Sequence, residues 1–244
     1  TKPEYLFRVW CIFELFTASQ NDGCKVTIEM PSREREDFLD GLAKMTEDAG
    51  HIYKLFGVLT STDVVNAKAS YESDRTDILN IVKTKTGYAN FNVTINTLVR
   101  KWVLRLIKDA AHLKLEGVAD GEYDEDCAVF HRRVGIIFKR LGEYKLALDM
   151  HNVNLKMVEK EFGSDHDKMY VLLANIANVL EREGKYEEAL NNYTKALTIA
   201  ENRWGSDDEE VAQILSNMGD VYGRQDEYDK AIDVLNRALA IQKE

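Results

Sequence analysis

The sequence predicts a mainly α-helical chain: three stacked helical hairpins at residues 117–244, preceded by a small, incomplete α/β unit with a helical extension at residues 1–116. The phrase GEYKLAL at 142–148 recurs as GKYEEAL at 184–190 and as DEYDKAI at 226–232. Its positions are 42 residues apart, and a fixed step of this size indicates a repeat architecture. In the first half, a helical pattern, a β-favouring run and a second helical pattern follow one another, which is typical of part of an α/β layer.

Each repeat is predicted to form one helical hairpin, because one helical pattern runs up to the G-x-Y phrase and a second one begins there. Small residues keep the same step on both helices, where a larger side chain would push the helices apart. On the first helix they are Gly135, Ala177 and Gly219, and on the second Ala147, Ala189 and Ala231. We therefore predict hairpins at about 127–163, 169–205 and 211–244, stacked on one another.

The spacing of Gly135, Phe138 and Ala147, repeated in the next two units, resembles that of the tetratricopeptide repeat family. The 42-residue period and the joints FGSDHDKMY and WGSDDEEVA resemble the kinesin light chain subtype of that family. Asp167 stands where that subtype usually has proline, and Asp226 replaces the glycine of the turn. The resemblance implies an α-solenoid whose groove, lined by the first helix of each hairpin, binds a peptide or a partner protein.

The first 50 residues predict a helix, a strand and a helix. Residues 4–19 place apolar side chains along one helical face. CKVTIEM at 24–30 is a β-favouring run bounded by Pro31, and it predicts a strand. Ser32, followed by acidic residues at 34 and 36, predicts the start of a second helix.

Two further helices are expected before residue 116, after an irregular stretch at 51–70 with room for one short strand. The first starts at Glu72, with Ser73 as its cap, and ends at Gly87. The second runs over about 90–115. The side chains that we expect on its buried face are Val93, Leu98, Trp102, Leu106 and Ile107.

Charge and cysteine content limit the kind of partner. Residues 1–116 carry 16 basic and 16 acidic side chains, whereas 117–244 carry 16 basic and 26 acidic ones. So acidic a surface repels phosphate backbones, and we expect no nucleic acid partner. No apolar run approaches the roughly 20 residues of a membrane span, so no membrane partner is expected. Three scattered cysteines form no disulfide framework, which favours a cytoplasmic location.

One motif in the first half has a chemical interpretation. Trp10-Cys11-x-x-Glu14-Leu15 resembles the W-C-x-x-E-L helix of TIR domains, in which the glutamate of enzymatic members assists cleavage of the nicotinamide–ribose bond of NAD. The resemblance makes Glu14 a candidate catalytic residue. The competing interpretation is that Trp10 and Leu15 are core residues and Glu14 is a surface carboxylate.

We expect no NAD cleavage by this chain, because a TIR domain places several strands and its substrate loop before this helix. The sequence also holds no glycine-rich phosphate loop, no G-x-S-x-G and no H-E-x-x-H, and its five histidines have no metal-ligand spacing. No catalytic activity, cofactor or metal is therefore expected.

The candidate binding residues lie on the first helices of the repeats. They are Arg132, Arg133, Arg140, Asn175, Asn178, Arg182, Asn217 and Arg224. Three of these arginines recur at the 42-residue step just before the turn, in the acidic half of the chain. This pattern favours an acidic or carboxylate-bearing peptide whose backbone the asparagines hold. The alternative is that the arginines pair with carboxylates such as Glu143, Glu183 and Glu187.

Two functions remain in view. One is a protein interaction scaffold or adaptor. The other is a fragment of a TIR-like signalling or NAD-cleaving protein whose repeats regulate or oligomerise it. The last helix presents an apolar face that nothing follows to cover, and solenoids normally end in a polar capping helix. We expect this end to carry further repeats in a longer protein or to self-associate. The face comprises Ile232, Leu235, Ala238, Leu239 and Ile241.

Overall fold

The structure is a computed structural model that describes residues 9–20, 63–67, 71–116 and 123–242. These ranges contain nine α-helices, one short 3-10 helix at Val64–Asn66 and no strand. The helices are α1 (Val9–Ser19), α2 (Glu72–Lys85), α3 (Tyr88–Glu116), α4 (Glu125–Arg140), α5 (Tyr144–Phe162), α6 (Lys168–Glu183), α7 (Tyr186–Trp204), α8 (Glu209–Arg224) and α9 (Tyr228–Ile241). The chain divides into two compact units, residues 1–110 and 111–244.

The first unit is organised around α3. Helix α1 contacts α2, and the ring of Phe16 packs on that of Phe91 with their centroids 4.5 Å apart. The 3-10 helix is tied to α3 by Asn92, whose Oδ1 accepts a hydrogen bond from the Val64 N–H at 3.0 Å. The Nδ2 of Asn92 donates to the Asp63 carboxylate at 2.9 Å. Helical structure thus occupies part of the stretch at 51–70 that we expected to be irregular.

The predicted cap of α2 is wrong. The helix begins at Glu72, as expected, but its N-cap is Tyr71, which makes no side-chain capping bond. Ser73 lies inside the first turn of the helix and is exposed. Because the helix already begins at Glu72, Ser73 has helical backbone angles, whereas a capping residue has an extended backbone.

The predicted buried face of α3 is correct only toward its C-terminal end. Leu106 and Ile107 are buried, whereas Leu98 and Trp102 are half-buried. The prediction that Val93 is buried is wrong, because 64% of its surface is exposed. A second apolar series at helical spacing faces inward, and Val93 lies off that series. This series comprises Phe91, Ile95, Val99, Val103, Leu106 and Ala110.

Several predictions fall on residues outside the described ranges. They are the strand at 24–30, the helix that starts near residue 34, the beginning of the first helix at 4–8 and the acidic segment at 117–122.

The second unit consists of three hairpins, as the repeat predicts: α4 with α5, α6 with α7, and α8 with α9. Helix α5 also packs on α6, and α7 packs on α8, so that each hairpin contacts the next. One apolar core extends from Val158 of α5 to Ala238 of α9, with Tyr193 and Ala177 fully buried in the middle hairpin. The mainly α-helical fold class is thereby confirmed.

Each hairpin turns through one residue with a left-handed backbone. Gly142 and Gly184 have φ angles of 75° and 83°, and Asp226 adopts 60° at the equivalent position. In each turn the next amide donates back to a carbonyl of the preceding helix, for example from Lys185 to Leu180 at 2.9 Å. This is the Schellman arrangement that ends a helix at a positive-φ residue. Asp226 therefore preserves the turn geometry of the two glycines.

The joints between hairpins begin with Gly163 and Gly205. In the second joint the Asp208 carboxylate accepts a hydrogen bond from the Glu210 N–H at 2.9 Å and caps α8. In the first joint Asp167 makes no such cap bond. Its carboxylate lies 2.8 Å from Nδ1 of His166 and pairs with Nε of Arg203 at 3.6 Å, which ties the joint to α7.

Candidate partner-binding groove

The first helices of the three hairpins carry one largely polar stripe at equivalent positions. Its residues follow one another at steps of three or four, which places them on the same helical face. All of them are exposed or half-buried, whereas the other faces of these helices supply the core. We call this the first-helix stripe; it comprises Val129, Arg133, Ile136 and Arg140 on α4, Val171, Asn175, Asn178 and Arg182 on α6, and Gln213, Asn217, Asp220 and Arg224 on α8.

Three cations come together at the turn end of the first two hairpins. Burial lowers the pKa of Lys139, and the nearby charges of Arg182 and Arg140 lower it further. Glu181 opposes this shift. We call Lys139, Arg140 and Arg182 the basic cluster. Lys139 was not among the predicted site residues, because its position is not repeated as a cation in the other two units.

Arg224, the third repeated arginine, is engaged by a carboxylate. Its Nε lies 3.0 Å from Oε1 of Glu181, whose side chain is only 10% exposed. Two of the three carboxylates suggested from the sequence have other contacts: Glu183 pairs with Lys185 at 3.3 Å, and Glu187 accepts from Gln225 at 3.0 Å. The pairing alternative therefore holds for Arg224, with a different partner.

The asparagines of the stripe use part of their hydrogen-bonding capacity within their own helices. Asn178 donates through Nδ2 to the carbonyl of Ala174 at 2.8 Å. Asn217 accepts through Oδ1 from Gln213 at 3.2 Å, and Asn175 is half-buried. Since an amide side chain has two donor hydrogens and an acceptor oxygen with two lone pairs, each retains capacity for a ligand.

Arg132 and Arg133 occupy different places. Arg133 belongs to the first-helix stripe, whereas Arg132 lines a cleft of about 240 Å³ between the first and second hairpins. We call this the joint cleft. Its walls come from helices α4, α5 and α6 and from Tyr123, which precedes α4. The lining residues are Tyr123, Glu125, Ala128, Val129, Arg132, Asn154, Val158, Lys168, Val171 and Leu172.

One side of the joint cleft is held by a polar network. The Lys168 ammonium donates to Glu125 at 2.5 Å and to the Tyr123 hydroxyl at 2.7 Å, and that hydroxyl also bonds Glu125. Lys168 lies over the rings of Tyr123 and Phe162, 4.5 and 5.2 Å from their centroids. Its hydrogen bond lowers the pKa of Glu125 and raises that of Lys168. This network links α4 to α6.

Asn154 forms a buried polar wall of the joint cleft. The residue is 2% exposed, and its Nδ2 donates to the Ala128 carbonyl at 2.8 Å, which fixes the orientation of the amide. Among the described residues, none donates to its Oδ1. Sequence reasoning missed this residue. The available signal was a polar side chain at a repeat position where the other hairpins have Ala196 and Ala238.

The other candidate, Glu14, lies on the exposed side of α1. Within the described part of the chain, no group of three or more histidine, cysteine or acidic side chains is placed to hold a metal ion. Of the helices that the structure describes, none is both long and apolar enough to cross a membrane.

Comparison with known proteins identifies the hairpins. The family model for the tetratricopeptide repeat matches residues 126–202 and, in an overlapping register, 168–244. No curated protein matches the chain.

Solved structures share the fold at low sequence identity. BtubC (BKLC) from P. vanneervenii is 19% identical, with a TM-score of 0.50 over 86% of this chain and 72% of that one. A Podosopora anserina protein described as a kinesin light chain with nearly identical TPR-like repeats is 13% identical, with a TM-score of 0.51 over 88% of this chain and 97% of that one. A single-residue variant of the Podosopora anserina protein is 12% identical, with a TM-score of 0.52 over 88% of this chain and 97% of that one. Residues 126–244 of this chain are therefore tetratricopeptide repeats, which generally mediate binding to proteins or peptides.

Proposed function

We propose that this chain is an interaction scaffold or adaptor whose first-helix stripe binds an acidic peptide segment of a partner protein. The observation that carries the proposal is the basic cluster of Lys139, Arg140 and Arg182. Burial, together with the charges of Arg182 and Arg140, depresses the pKa of Lys139, and a carboxylate ligand beside these cations would favour their charged forms.

The charge of the surroundings makes this cluster selective. The chain has a net charge of −10, and residues 117–244 account for all of it. An acidic ligand is repelled by the net negative charge of this unit and attracted at the basic cluster, which favours binding there. Arginine adds geometry to charge, because its planar fork matches a carboxylate with two parallel hydrogen bonds. The amides of Asn175 and Asn178 lie on the same face of α6 as Arg182 and would hold the ligand backbone.

The first prediction is that Arg182→Ala weakens binding of acidic peptides about tenfold, the effect of losing one charge-assisted hydrogen bond. Peptides of matched length and graded net charge, titrated by fluorescence anisotropy, measure this. Arg203→Ala removes an exposed arginine of α7, outside the stripe, and serves as the matched control with unchanged affinity. Binding that ignores peptide charge, or that survives Arg182→Ala and Arg224→Ala unaltered, overturns the proposal.

Two further assignments belong to this proposal. We place the protein in the cytoplasm, because its three scattered cysteines suit a reducing compartment and Cys127 is a buried thiol with no disulfide. We also assign it no NAD-cleaving activity. The TIR-like alternative rests on the motif around Glu14, and the family match begins at residue 126.

We propose self-association through α9. Leu235, Leu239 and Ile232 of this helix are all exposed apolar side chains. Contiguous exposed apolar surface of this kind is typical of an interface. A second copy that presents the same face would cover it by two-fold symmetry.

A further inference from the structure

A pair of aromatic rings packs edge to face at each joint between hairpins. At the first joint the rings of Tyr123 and Phe162 lie 4.8 Å apart, with 76° between their planes. At the second the rings of Tyr170 and Trp204 lie 4.9 Å apart, with 72° between their planes. Trp204 occupies the repeat position of Phe162. The two pairs therefore have closely similar geometry, although Tyr170 lies on α6 and Tyr123 precedes α4.

The first aromatic pair holds a cation of the chain itself. The Lys168 ammonium lies 4.5 Å from the ring centroid of Tyr123 and 5.2 Å from that of Phe162. It donates to the Tyr123 hydroxyl at 2.7 Å and to the Glu125 carboxylate at 2.5 Å, and this hydroxyl and carboxylate also bond each other. The ring faces attract positive charge, and the two oxygens accept hydrogen bonds. Two rings, a hydroxyl and a carboxylate thus form an ammonium site.

The second aromatic pair is surrounded by the same kinds of group. The Tyr170 hydroxyl is hydrogen-bonded to the Glu210 carboxylate. Burial, assisted by the negative charges of Glu210 and Asp208, raises the pKa of Tyr170 to about 12. The Trp204 side chain is 40% exposed, and Glu210 is exposed as well. A ligand can therefore reach both the indole ring and the carboxylate.

The second aromatic pair lacks the internal cation of the first. At the repeat position of Lys168, the second joint has Glu210, so that a carboxylate replaces the ammonium. Among the residues that the structure describes, no lysine or arginine lies over the ring of Tyr170 or of Trp204, and none forms an ion pair with Glu210. The second joint thus carries the rings and oxygens of an ammonium site together with an unbalanced negative charge.

The other charged groups near the second pair have contacts of their own. Arg203, at the end of α7, pairs through Nε with the Asp167 carboxylate at 3.6 Å. Asp208 accepts the capping hydrogen bond from the Glu210 N–H at 2.9 Å. We call the groups that remain for an added cation the second-joint site; it comprises Tyr170, Trp204 and Glu210.

We propose that the second-joint site binds a lysine side chain of a partner protein, with its ammonium against the rings of Tyr170 and Trp204 and hydrogen-bonded to the Glu210 carboxylate. The contacts of Lys168 at the first joint are the basis for choosing a primary ammonium. A trimethylated lysine keeps the charge but has no N–H to donate, and arginine spreads its charge over a planar group. The net negative charge of residues 117–244 attracts such a cation.

The test uses the full chain and capped amino acids as probes. N-acetyl-lysine N-methylamide is titrated while NMR follows the indole of Trp204 and the ring of Tyr170. The norleucine, trimethyllysine and arginine analogues are titrated in the same way, and norleucine keeps the apolar stem without the charge. We expect the lysine probe to bind about tenfold more tightly than the norleucine and trimethyllysine probes, as for one charge-assisted hydrogen bond gained or lost. The arginine probe should also bind more weakly than the lysine probe.

Two variants, each with a matched control, sharpen the test. Trp204→Leu should weaken binding of the lysine probe about fivefold, as for the loss of an exposed cation–π contact. Phe162→Leu makes the same change at the first joint, where Lys168 already fills the site, and should leave the affinity unchanged.

Glu210→Gln should weaken binding of the lysine probe about tenfold, because the charged acceptor is lost. Glu209→Gln removes the adjacent carboxylate and should have little effect. The four substituted side chains are all exposed, so the fold should tolerate each change.

The inference is overturned if the norleucine probe binds as tightly as the lysine probe, if Trp204→Leu and Phe162→Leu weaken binding equally, or if the Trp204 resonances do not shift. A trimethyllysine or arginine probe that binds as tightly as lysine overturns the assignment to lysine. The proposed function fails or holds separately. The lysine probe carries no carboxylate, and the second-joint site shares no residue with the first-helix stripe or the basic cluster.

Discussion

Gly135 leaves room for the imidazole of His151 between the two helices of the first hairpin. A Cβ added at Gly135 would lie 2.5 Å from Cε1 and 2.6 Å from Nε2 of that ring. The equivalent Gly219 would meet Leu235 at 2.6 Å. Two of the three hairpins thus pack a side chain directly on a glycine of the first helix.

We predict that Gly135→Ala lowers the free energy of unfolding by about 1–3 kcal/mol, because the added methyl overpacks a filled space. Gly223→Ala is the control, since its Cβ meets nothing within 4 Å on α8. That substitution should stabilise the protein by about 0.5–1 kcal/mol through helix propensity. Urea unfolding of both variants measures the difference, and equal effects would contradict the packing argument.

His151 also makes stability depend on pH. It is fully buried, and burial, assisted by the charges of Lys139 and Arg132, lowers its pKa from 6.5 to about 3. Below pH 6.5 the unfolded chain therefore binds a proton that the folded chain does not. As a result, the free energy of unfolding decreases as the pH falls from about 6.5 toward 3. The contribution of His151 to this decrease is up to about 1.4 kcal/mol per pH unit.

We predict that His151→Leu, which introduces the residue found at this position in the third hairpin, weakens this pH dependence. Urea unfolding of both proteins between pH 7.5 and 5 measures the two slopes. A smaller slope should remain in the variant, because burial also lowers the pKa of His131. Identical slopes in the two proteins would refute the assignment to His151.

At the scale of the element, the turns between paired helices differ in one residue. Gly142 and Gly184 take the left-handed conformation without strain, whereas Asp226 has a Cβ in that conformation. Asp226 recovers part of this cost, because its Oδ1 accepts a hydrogen bond from the Tyr228 hydroxyl at 2.6 Å. That bond is exposed, so its net contribution is small.

We predict that Asp226→Gly raises the free energy of unfolding by up to about 1 kcal/mol, because relief of the left-handed strain exceeds the loss of an exposed hydrogen bond. The reciprocal change Gly184→Asp should lower it by a similar amount. Thermal unfolding of both variants checks the pair. A destabilised Asp226→Gly protein would show that the bond to Tyr228 outweighs the strain.

At the scale of the whole molecule, the apolar face of α9 decides the state of association. We predict concentration-dependent dimers of the full chain, which Leu239→Glu converts to monomers by burying a carboxylate in the interface. Val93→Glu is the control, since Val93 is an exposed apolar residue of α3 in the other unit. Sedimentation velocity over a range of concentrations measures both. A monomer at every concentration, with a well-protected last hairpin, would contradict self-association.

The periodicity of the sequence was sufficient for the repeats. A 42-residue step, small residues at helix contacts and G-x-Y at the turns predicted three hairpins, their turns and the face on which Arg133, Asn175 and Asn217 lie. These features are local, because residues three or four apart on a helix share a face wherever the helix packs. The same reasoning was less successful for α3. Val93 and the residues of the buried series are all apolar, so only the packing of neighbouring elements decides which of them is buried.

Contacts between hairpins were decided by the tertiary structure. The pairing of Arg224 with Glu181, the approach of Arg182 to Lys139 and the cleft beside Asn154 all join residues of different hairpins or of helices far apart in sequence. Periodicity specifies the direction of each side chain from its own helix, but the distance to a neighbouring helix depends on side-chain volumes at every contact between them. The sequence by itself thus determined the repeat and its exposed stripe, and the packing of one hairpin on the next decided which of those side chains meet.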